Sequence, residues 1–278
     1  MWINSYNNGP CLYLIPTPIG NLEDITLRSI NILKEVEVIF CEDTRVTGLL
    51  LNQLNIRKKL ISLHDHNEDL QKEKVLEYLR NGFSVGLVTD RGTPIISDPG
   101  YKTVKYISSF NYSIVALPGA NAFIPALIVS GIAPAPFMFY GFLDSKNSKK
   151  KKELESLKYY KNTIIFYEAP HRILNTMQLM LEVLGDREVS ISREISKKFE
   201  SVYRGKISDL IPTLENIKGE FVIILSGFVG ENNDDLSIVE LVNLYISNGI
   251  DTMNAIKMVA KERKIAKSEV YALYHKGE

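Results

Sequence analysis

Residues 12–21 read Leu-Tyr-Leu-Ile-Pro-Thr-Pro-Ile-Gly-Asn, a short apolar run that passes directly into a loop with two prolines and a glycine. The apolar run is typical of a buried β-strand. The loop has neither the Gly-x-Gly-x-x-Gly pattern of a dinucleotide-binding fold nor the Gly-Lys-Ser/Thr ending of a phosphate-binding loop. Its prolines fix φ and remove amide donors, so we expect a rigid edge there.

The first half of the chain repeats this alternation of strand, loop and helix. Strands are predicted at 12–16, 36–41, 60–63, 84–90 and 113–117, with helices at 26–34, 44–53, 68–81 and 100–110. Such alternation is typical of an α/β domain with a parallel sheet. From Phe137 onward, strands at 137–142, 163–167, 189–193, 201–203 and 221–225 have fewer helices between them and predict a second, α+β domain. The helix that begins at Ile173 places its apolar residues on one face and serves as scaffold.

A polar segment, Asn232–Asp235, precedes three short helical patterns at 238–247, 253–262 and 268–274, which are broken at Gly249 and Lys264. This C-terminal unit is either helix-turn-helix-like and uses its lysines to bind nucleic acid, or a helical cap with solvated charges. The predicted domains therefore span 11–119, 120–228 and 236–278.

Composition narrows the range of functions. The 278 residues are 45% hydrophobic with a net charge of zero, so any RNA binding must come from local patches. No apolar run approaches the length of a bilayer span, and the first residues lack a signal-peptide pattern, so we expect a cytoplasmic protein. Cys11 and Cys41 are expected to be buried, and the few thiols and histidines predict no metal. The lysine-rich segment 146–152 is expected to be a solvated loop, facing RNA only if RNA is the substrate.

Loops rich in proline and glycine follow three of the predicted strands, at 16–21, 90–100 and 117–123. The carboxyl ends of parallel strands share one edge of a sheet, where ligands bind, so these loops predict one common cleft. Asp90 is suited to accept from a ribose hydroxyl or an amino group. Residues 98–100 are expected to start a helix, and Asn121 to cap the next one.

Polar residues follow the other strands, at 42–45, 64–68 and 166–172. A guanidinium such as Arg45 suits an RNA phosphate, and a neighbouring carboxylate orients it. His64 and His66 are more typical of hydrogen-bonded loop residues than of a metal site, and Glu168 is a possible helix-capping residue.

Five motifs in this order, at 12–26, 42–45, 64–68, 90–94 and 166–172, resemble those of the ribosomal RNA small subunit methyltransferase I family of the tetrapyrrole methylase superfamily. The resemblance covers 12 to about 226 and continues into the helical C-terminal region. Two residues depart from it: Arg91 stands where the family usually has alanine, and Ala120 where a second proline often follows.

The resemblance implies an α/β, two-domain tetrapyrrole-methylase-like fold with S-adenosylmethionine in the cleft between domains, a small C-terminal helical unit, and a homodimer. It implies methylation of the ribose 2′-oxygen of a decoding-centre cytidine in 16S ribosomal RNA or the small subunit. It places at the cofactor Pro18, Gly20, Asp90, Gly92, Thr93, Ile95, Ala120, Ala122 and Tyr167, and at the substrate Glu42, Asp43, Arg45, Asn67 and Arg172. The catalytic base is expected among His64, Glu68 and His171. A tetrapyrrole methylase and a non-catalytic RNA-binding assembly factor are the alternatives.

Overall fold

The structure is a computed structural model of the chain, and it describes residues 9–215, 217–230, 236–247 and 250–276. These residues form two compact units. One holds the described residues up to 158 together with 162–226, and the other holds 159–161 with the described residues from 227 onward. The linker predicted at 232–235 and the helix break predicted at Gly249 lie outside the described residues.

A parallel sheet in the order β3-β2-β4-β1-β5 organises the first part of the larger unit. Its strands are β1 (Cys11–Leu14), β2 (Val38–Cys41), β3 (Lys59–Ser62), β4 (Val85–Val88) and β5 (Ser113–Ala116). The helices that follow β1 to β4 are α1 (Leu27–Glu35), α2 (Thr44–Gln53), α3 (Glu68–Arg80) and α4 (Tyr101–Ser108). The α/β prediction is therefore confirmed, with the ends of the strands within two residues of those expected.

Apolar residues on both faces of this sheet explain why its central strands are uninterrupted apolar runs. Successive side chains along a strand point to opposite faces, so Ile39 and Phe40 of β2 pack in two different clusters. Both β2 and β4 are buried along their whole length. Cys11 and Cys41 are free and buried as predicted, and burial raises the pKa of each thiol to about 11.

A second, mixed sheet has the order β6-β7-β10-β8-β9. Its strands are β6 (Phe137–Phe142), β7 (Thr163–Glu168), β8 (Glu188–Arg193), β9 (Ser201–Lys206) and β10 (Phe221–Leu225). Only the pair β6 and β7 is parallel among the strand pairs of this sheet in the described residues. Helices α5 (Phe123–Val129), α6 (Asn147–Ser156), α7 (Ile173–Leu184) and α8 (Ile207–Leu210) complete the unit. The predicted α+β character of this region is confirmed.

The lysine-rich segment departs from its prediction. It was expected to be a solvated loop, but it forms most of α6, and Lys150 on this helix is only 1% exposed. Lys150 Nζ donates to Thr176 Oγ1 of α7 at 2.6 Å. A run of lysines has no apolar periodicity that would indicate a helix. The burial of Lys150 was also not predictable from its neighbours, because its partner Thr176 lies 26 positions away in the chain.

The smaller unit contains α9 (Ile238–Ser247), α10 (Thr252–Arg263) and α11 (Lys267–His275), which confirms the three predicted helices. Their shared core includes Leu241, Ile256, Val259 and Val270. A short turn joins α10 to α11, and its first residue, Lys264, has a left-handed backbone with φ of 56°. Across the part of the chain described here, every helix is too short or too polar to cross a bilayer.

Candidate functional site

The loops after β1, β4 and β5 meet at one edge of the first sheet. Thr17 and Gly92 exchange backbone hydrogen bonds, with N–O distances of 2.9 and 3.0 Å. Thr93 Oγ1 donates to the carbonyl of Ala120 at 3.0 Å and so ties the β4 loop to the β5 loop. The prediction that these loops share one cleft is confirmed.

A cavity of about 470 Å³ opens beside these loops and is lined by residues of both sheets. The first part of the chain contributes Ile19, Arg91, Gly92, Thr93, Ile96, Ser97, Asp98, Asn121, Ala122 and Phe123. The second sheet and its loops contribute Phe142, Tyr167, Glu168, Ala169, Pro170, Ile195, Glu220, Phe221 and Val222. Its size and its apolar walls with few polar groups are typical of a small-molecule site.

Gly92 lines the cavity without a side chain. Its φ of +84° lies in the left-handed region, and a Cβ there would stand 3.3 Å from Ile19 Cγ2 and 3.7 Å from the carbonyl oxygen of Ala120. Glycine suits this position because it adopts positive φ without a steric penalty and leaves room for a ligand.

The predicted cofactor residues divide into two groups. Gly92, Thr93, Ala122 and Tyr167 line the cavity, whereas Pro18, Gly20, Asp90, Ile95 and Ala120 are not among its lining residues. The second group supports the loops: Asp90 Oδ1 accepts from the backbone N–H of Asp43 at 3.0 Å, and Ala120 accepts from Thr93. Gly20 lies under the side chain of Lys197, whose Cγ a Cβ at this position would meet at 2.3 Å. The roles of all nine in cofactor binding stay predictions.

Asp98 is a cavity residue that the sequence did not indicate. It was expected to help start α4, but the residue that precedes this helix is Gly100, with φ of 125°, and no side chain caps it there. Asp98 Oδ1 instead accepts from Thr89 Oγ1 at 2.8 Å, and the same hydroxyl oxygen lies 3.2 Å from Glu42 Oε2. Asn121 behaves as predicted, since its Oδ1 accepts from the backbone N–H of Ile124 at 3.0 Å near the start of α5.

Asp98 also has a shifted pKa. Burial is the largest cause that raises the pKa of Asp98 to about 6; the hydrogen bond from Thr89 opposes this shift, and the charges of Glu42, Asp90 and Asp65 add to it. Burial also raises the pKa of the Tyr167 hydroxyl to about 12. The cavity thus contains a carboxyl group that titrates near neutral pH and a phenol that stays protonated.

Arg45 and Asp43 form the predicted arrangement of a guanidinium oriented by a carboxylate. Arg45 Nη2 lies 2.6 Å from Asp43 Oδ2, and the Arg45 side chain is 88% exposed. The hydrogen bonds from Arg45 lower the pKa of Asp43 to about 2. This pair leaves the guanidinium open to an anionic partner in solution.

Glu68, a predicted catalytic base, requires a correction. It is 3% exposed, and its Oε1 accepts from both the backbone N–H and the hydroxyl of Thr103, at 2.8 and 3.0 Å. Glu68 therefore stabilises the first turn of α4 and is closed to substrate.

Asn67 stabilises its own loop, since its Oδ1 accepts from the N–H of His64 and its Nδ2 donates to the carbonyl of Ser62. His64 is half-buried, and its Nδ1 has no hydrogen-bond partner within the described protein.

Arg172, predicted at the substrate, also requires a correction. Its Nη2 donates to the carbonyls of Leu143 and Asp144, and its Nε lies 2.9 Å from Glu168 Oε1. Because these internal partners occupy the guanidinium, it shapes the 166–172 loop instead of binding an external phosphate.

The two other polar residues of this loop lie in different surroundings. His171 is exposed and is not a cavity residue. Glu168 belongs to this buried ion cluster and does not cap α7.

One ion pair connects loops of the two sheets at the cavity, and a second cation shares its carboxylate. Arg91 Nη1 lies 2.6 Å from Glu220 Oε1, and Lys197 Nζ lies 2.7 Å from Glu220 Oε2. Lys197 also pairs with Glu194 at 3.0 Å. Sequence reasoning did not find Glu220 or Phe142, because Glu220 stands just before β10 and Phe142 ends β6 without a distinguishing motif, whereas Phe123 belongs to the loop 117–123 that was assigned to the cleft. Within the described residues, no group of three or more histidine, cysteine or acidic side chains is arranged to hold a metal ion.

Comparison with known proteins identifies a matching family and relatives of this chain. Residues 11–211 match the family profile described as Tetrapyrrole (Corrin/Porphyrin) Methylases. The chain is 46% identical over 284 residues to a protein of Bacillus subtilis named ribosomal RNA small subunit methyltransferase I, with 99% of this chain and 97% of that protein covered. Proteins of the same name from Streptococcus pyogenes serotype M1 and Rickettsia prowazekii are 43% and 36% identical, each over 95% of this chain and 94% and 96% of their own length.

Solved structures show the same fold at low sequence identity. A cobalt precorrin-4 methyltransferase, a cobalamin biosynthetic enzyme, aligns with a TM-score of 0.58 and 17% identity over 78% of this chain and 94% of its own. A uroporphyrin-III-C-methyltransferase from Thermus thermophilus aligns with a TM-score of 0.55 and 16% identity over 79% of this chain and 93% of its own.

Proposed function

Because the chain belongs to the ribosomal RNA small subunit methyltransferase I family of the tetrapyrrole methylases, we propose that it transfers a methyl group from S-adenosylmethionine to small-subunit ribosomal RNA. The acceptor is the ribose 2′-oxygen of a decoding-centre cytidine in 16S ribosomal RNA. The observation that carries the proposal is the cavity of about 470 Å³ at the carboxyl ends of the strands of the first sheet.

The residues of this cavity fit S-adenosylmethionine. Gly92 has no Cβ, so a ligand can approach its backbone beside Ile19, and Phe123, Phe142 and Tyr167 add aromatic surface. Gly92, Thr93, Ala122 and Tyr167 are the residues proposed to contact the cofactor, with Pro18, Gly20, Asp90, Ile95 and Ala120 holding the loops around it. When bound, S-adenosylmethionine supplies an electrophilic methyl group on a positively charged sulfur.

The chain itself supplies alignment and exclusion of water. Methyl transfer is an in-line displacement, in which fixed orientation of donor and acceptor contributes on the order of 7–11 kcal/mol. Residues of both sheets line the cavity, and Arg91 of the loop after β4 pairs with Glu220, the residue before β10, at its edge. His64 and His171 are retained from the sequence as candidate proton acceptors.

The RNA is proposed to bind along exposed basic and polar groups outside the cavity. Arg45 is the strongest of them because its guanidinium is oriented and 88% exposed, and Glu42, Asp43 and Asn67 shape the same region. The exposed lysines of α10 and α11, among them Lys257, Lys261 and Lys267, are suited to nonspecific phosphate contacts. The domains 11–119, 120–228 and 236–278, a homodimeric state and a cytoplasmic location complete the proposal.

The test is transfer of a labelled methyl group from S-adenosylmethionine to small ribosomal subunits that lack the modification, followed by identification of the product nucleoside. The expected product is 2′-O-methylated cytidine, with naked 16S ribosomal RNA as the parallel substrate. Binding of S-adenosylmethionine without transfer to subunits or RNA would contradict the proposal, and transfer to a tetrapyrrole would replace it.

A further inference from the structure

Thr89 places a single hydroxyl between two carboxyl groups. Its Oγ1 lies 2.8 Å from Asp98 Oδ1 and 3.2 Å from Glu42 Oε2. A hydroxyl has one proton, so Thr89 donates to only one of these oxygens at a time. The other contact is a hydrogen bond only when that carboxyl group is protonated and donates to Thr89 Oγ1. Thr89 therefore joins Asp98 and Glu42 through one hydroxyl, and its contact with Asp98 is the shorter of the two.

Asp98 is the member of this cluster that lines the cavity. The charges of three acidic residues act on it, namely Glu42 after β2, Asp65 after β3 and Asp90 in its own loop after β4. Tyr167 of the second sheet lies near enough for their charges to interact. The other charged groups along the cavity are Arg91, Glu168 and Glu220, and the first and last of these pair with each other. The environment of Asp98 is thus mostly acidic and partly dehydrated.

We propose that Asp98 is the proton acceptor in the transfer reaction, and that Glu42 and Thr89 set the pH at which it works. This inference rests on the proposed function. The acceptor oxygen forms a bond to the methyl carbon, and the carbon–sulfur bond breaks with its electron pair remaining on sulfur. The hydroxyl proton passes to a carboxylate oxygen of Asp98.

The acid–base behaviour of Asp98 suits this role. A general base is most effective when its pKa lies near the working pH, and burial with acidic neighbours raises the pKa of Asp98 to about 6. A positively charged sulfonium in the same cavity favours the ionised carboxylate. Binding of the methyl donor at pH 6 is therefore expected to release a fraction of a proton from Asp98 and leave its carboxylate ready to accept another.

The first experiment measures the titration of Asp98 directly by carboxyl-carbon NMR, with Asp98→Asn to assign the resonance. In the unchanged protein, we expect a midpoint near pH 6. The neighbours oppose each other, because the charge of Glu42 raises the pKa of Asp98 and the hydrogen bond from Thr89 lowers it. Glu42→Gln should therefore lower the midpoint and Thr89→Val should raise it. A midpoint near pH 4 in the unchanged protein, or shifts of the same sign, would overturn the roles given to Asp98, Glu42 and Thr89.

The second experiment measures proton release on binding by calorimetry at pH 6 in buffers of different ionisation enthalpy. S-adenosylmethionine should release a fraction of a proton, whereas S-adenosylhomocysteine, which has a neutral sulfur, should release less. Asp98→Asn should bind the donor and remove the difference between the two ligands. A difference that persists in this variant would contradict the assignment to Asp98.

Kinetics then separate the inference from the proposed function. Asp98→Asn should lower kcat/KM for RNA methylation by about 100-fold or more. The rising limb of the pH–rate profile should shift with Glu42→Gln and Thr89→Val in the same directions as the NMR midpoints. If the unchanged protein methylates RNA and Asp98→Asn stays within threefold of it, the inference is wrong and the function stands. If the unchanged protein binds the donor and transfers nothing to RNA, both are wrong.

Discussion

Lys150 Nζ lies 3.7 Å from Glu168 Oε2, and both side chains are 1% exposed. Thr176 joins them, since its Oγ1 accepts from Lys150 at 2.6 Å and donates to Glu168 Oε2 at 2.5 Å. Glu168 also lines the cavity. One lysine of an otherwise solvated run therefore neutralises a buried carboxylate in the wall of the candidate site.

Substitution Lys150→Met is expected to lower the free energy of unfolding by about 1–3 kcal/mol, because it removes the buried donor to Thr176 and one of the two cationic partners of Glu168, which keeps its contact with Arg172. Urea unfolding followed by circular dichroism measures the change. Lys152→Met is the matched control, since Lys152 is exposed on the same helix and its substitution should stay within about 0.5 kcal/mol. Equal effects of the two variants would show that the buried pair adds no stability.

Substitution Glu68→Ala is expected to act on stability and not on the chemistry of transfer. It removes the acceptor of the Thr103 N–H and hydroxyl, and a buried donor left without a partner costs about 1–3 kcal/mol. Thermal unfolding and methyl transfer per folded molecule are the two measurements. A loss of transfer by 100-fold or more in fully folded protein would restore Glu68 as a candidate base.

Gly92 and Gly82 allow a matched comparison, because both have φ of +84°. Alanine at either position should cost about 1–2 kcal/mol of stability from the left-handed backbone. A Cβ at Gly82 meets nothing within 4 Å, whereas one at Gly92 enters the cleft beside Ile19. We therefore expect Gly92→Ala alone to weaken S-adenosylmethionine binding, by about tenfold or more in calorimetry. Equal donor affinity in the two variants would place the cofactor elsewhere.

Substitution Arg45→Gln is expected to weaken RNA binding and to reduce the slope of log affinity against log salt concentration by about 1, the effect of one lost phosphate contact. Arg57→Gln, at an exposed arginine outside the candidate site, is the control and should leave the slope unchanged. A slope that is the same for both variants would remove Arg45 from the RNA contacts.

Arg45→Gln is also expected to change how the stability of the protein depends on pH. The guanidinium of Arg45 holds the pKa of Asp43 at about 2, below its ordinary value of 3.8. A carboxyl group with a lowered pKa in the folded state contributes stability that is present above about pH 4 and is lost as the pH falls toward 2. Arg45→Gln should therefore raise the pKa of Asp43 toward 3.8 in an NMR titration and remove this pH dependence.

Much of the fold was determined by local sequence. Continuous apolar runs such as 38–41 and 85–88 predict strands buried on both faces, and the alternation with helices predicts a parallel sheet, because both signals depend only on neighbours in the chain. Proline and glycine loops at 16–21, 90–100 and 117–123 predicted the shared cleft, since parallel strands bring their carboxyl ends to one edge.

Tertiary structure alone decided which polar residues are open to a ligand. Glu68 and Arg172 belong to the motifs that predicted the site, but their partners, Thr103 and the carbonyls of Leu143 and Asp144, occupy their polar groups. Asp98 was assigned by sequence to the start of a helix, but it lines the cavity in the folded protein, where burial and the charge of Glu42 raise its pKa to about 6 against the opposing hydrogen bond from Thr89. Lys150 cannot be told from the neighbouring lysines by its residue type, and only the folded structure shows that it is buried. Desolvation and pairing depend on residues distant in the chain, whereas a motif states only the type of side chain.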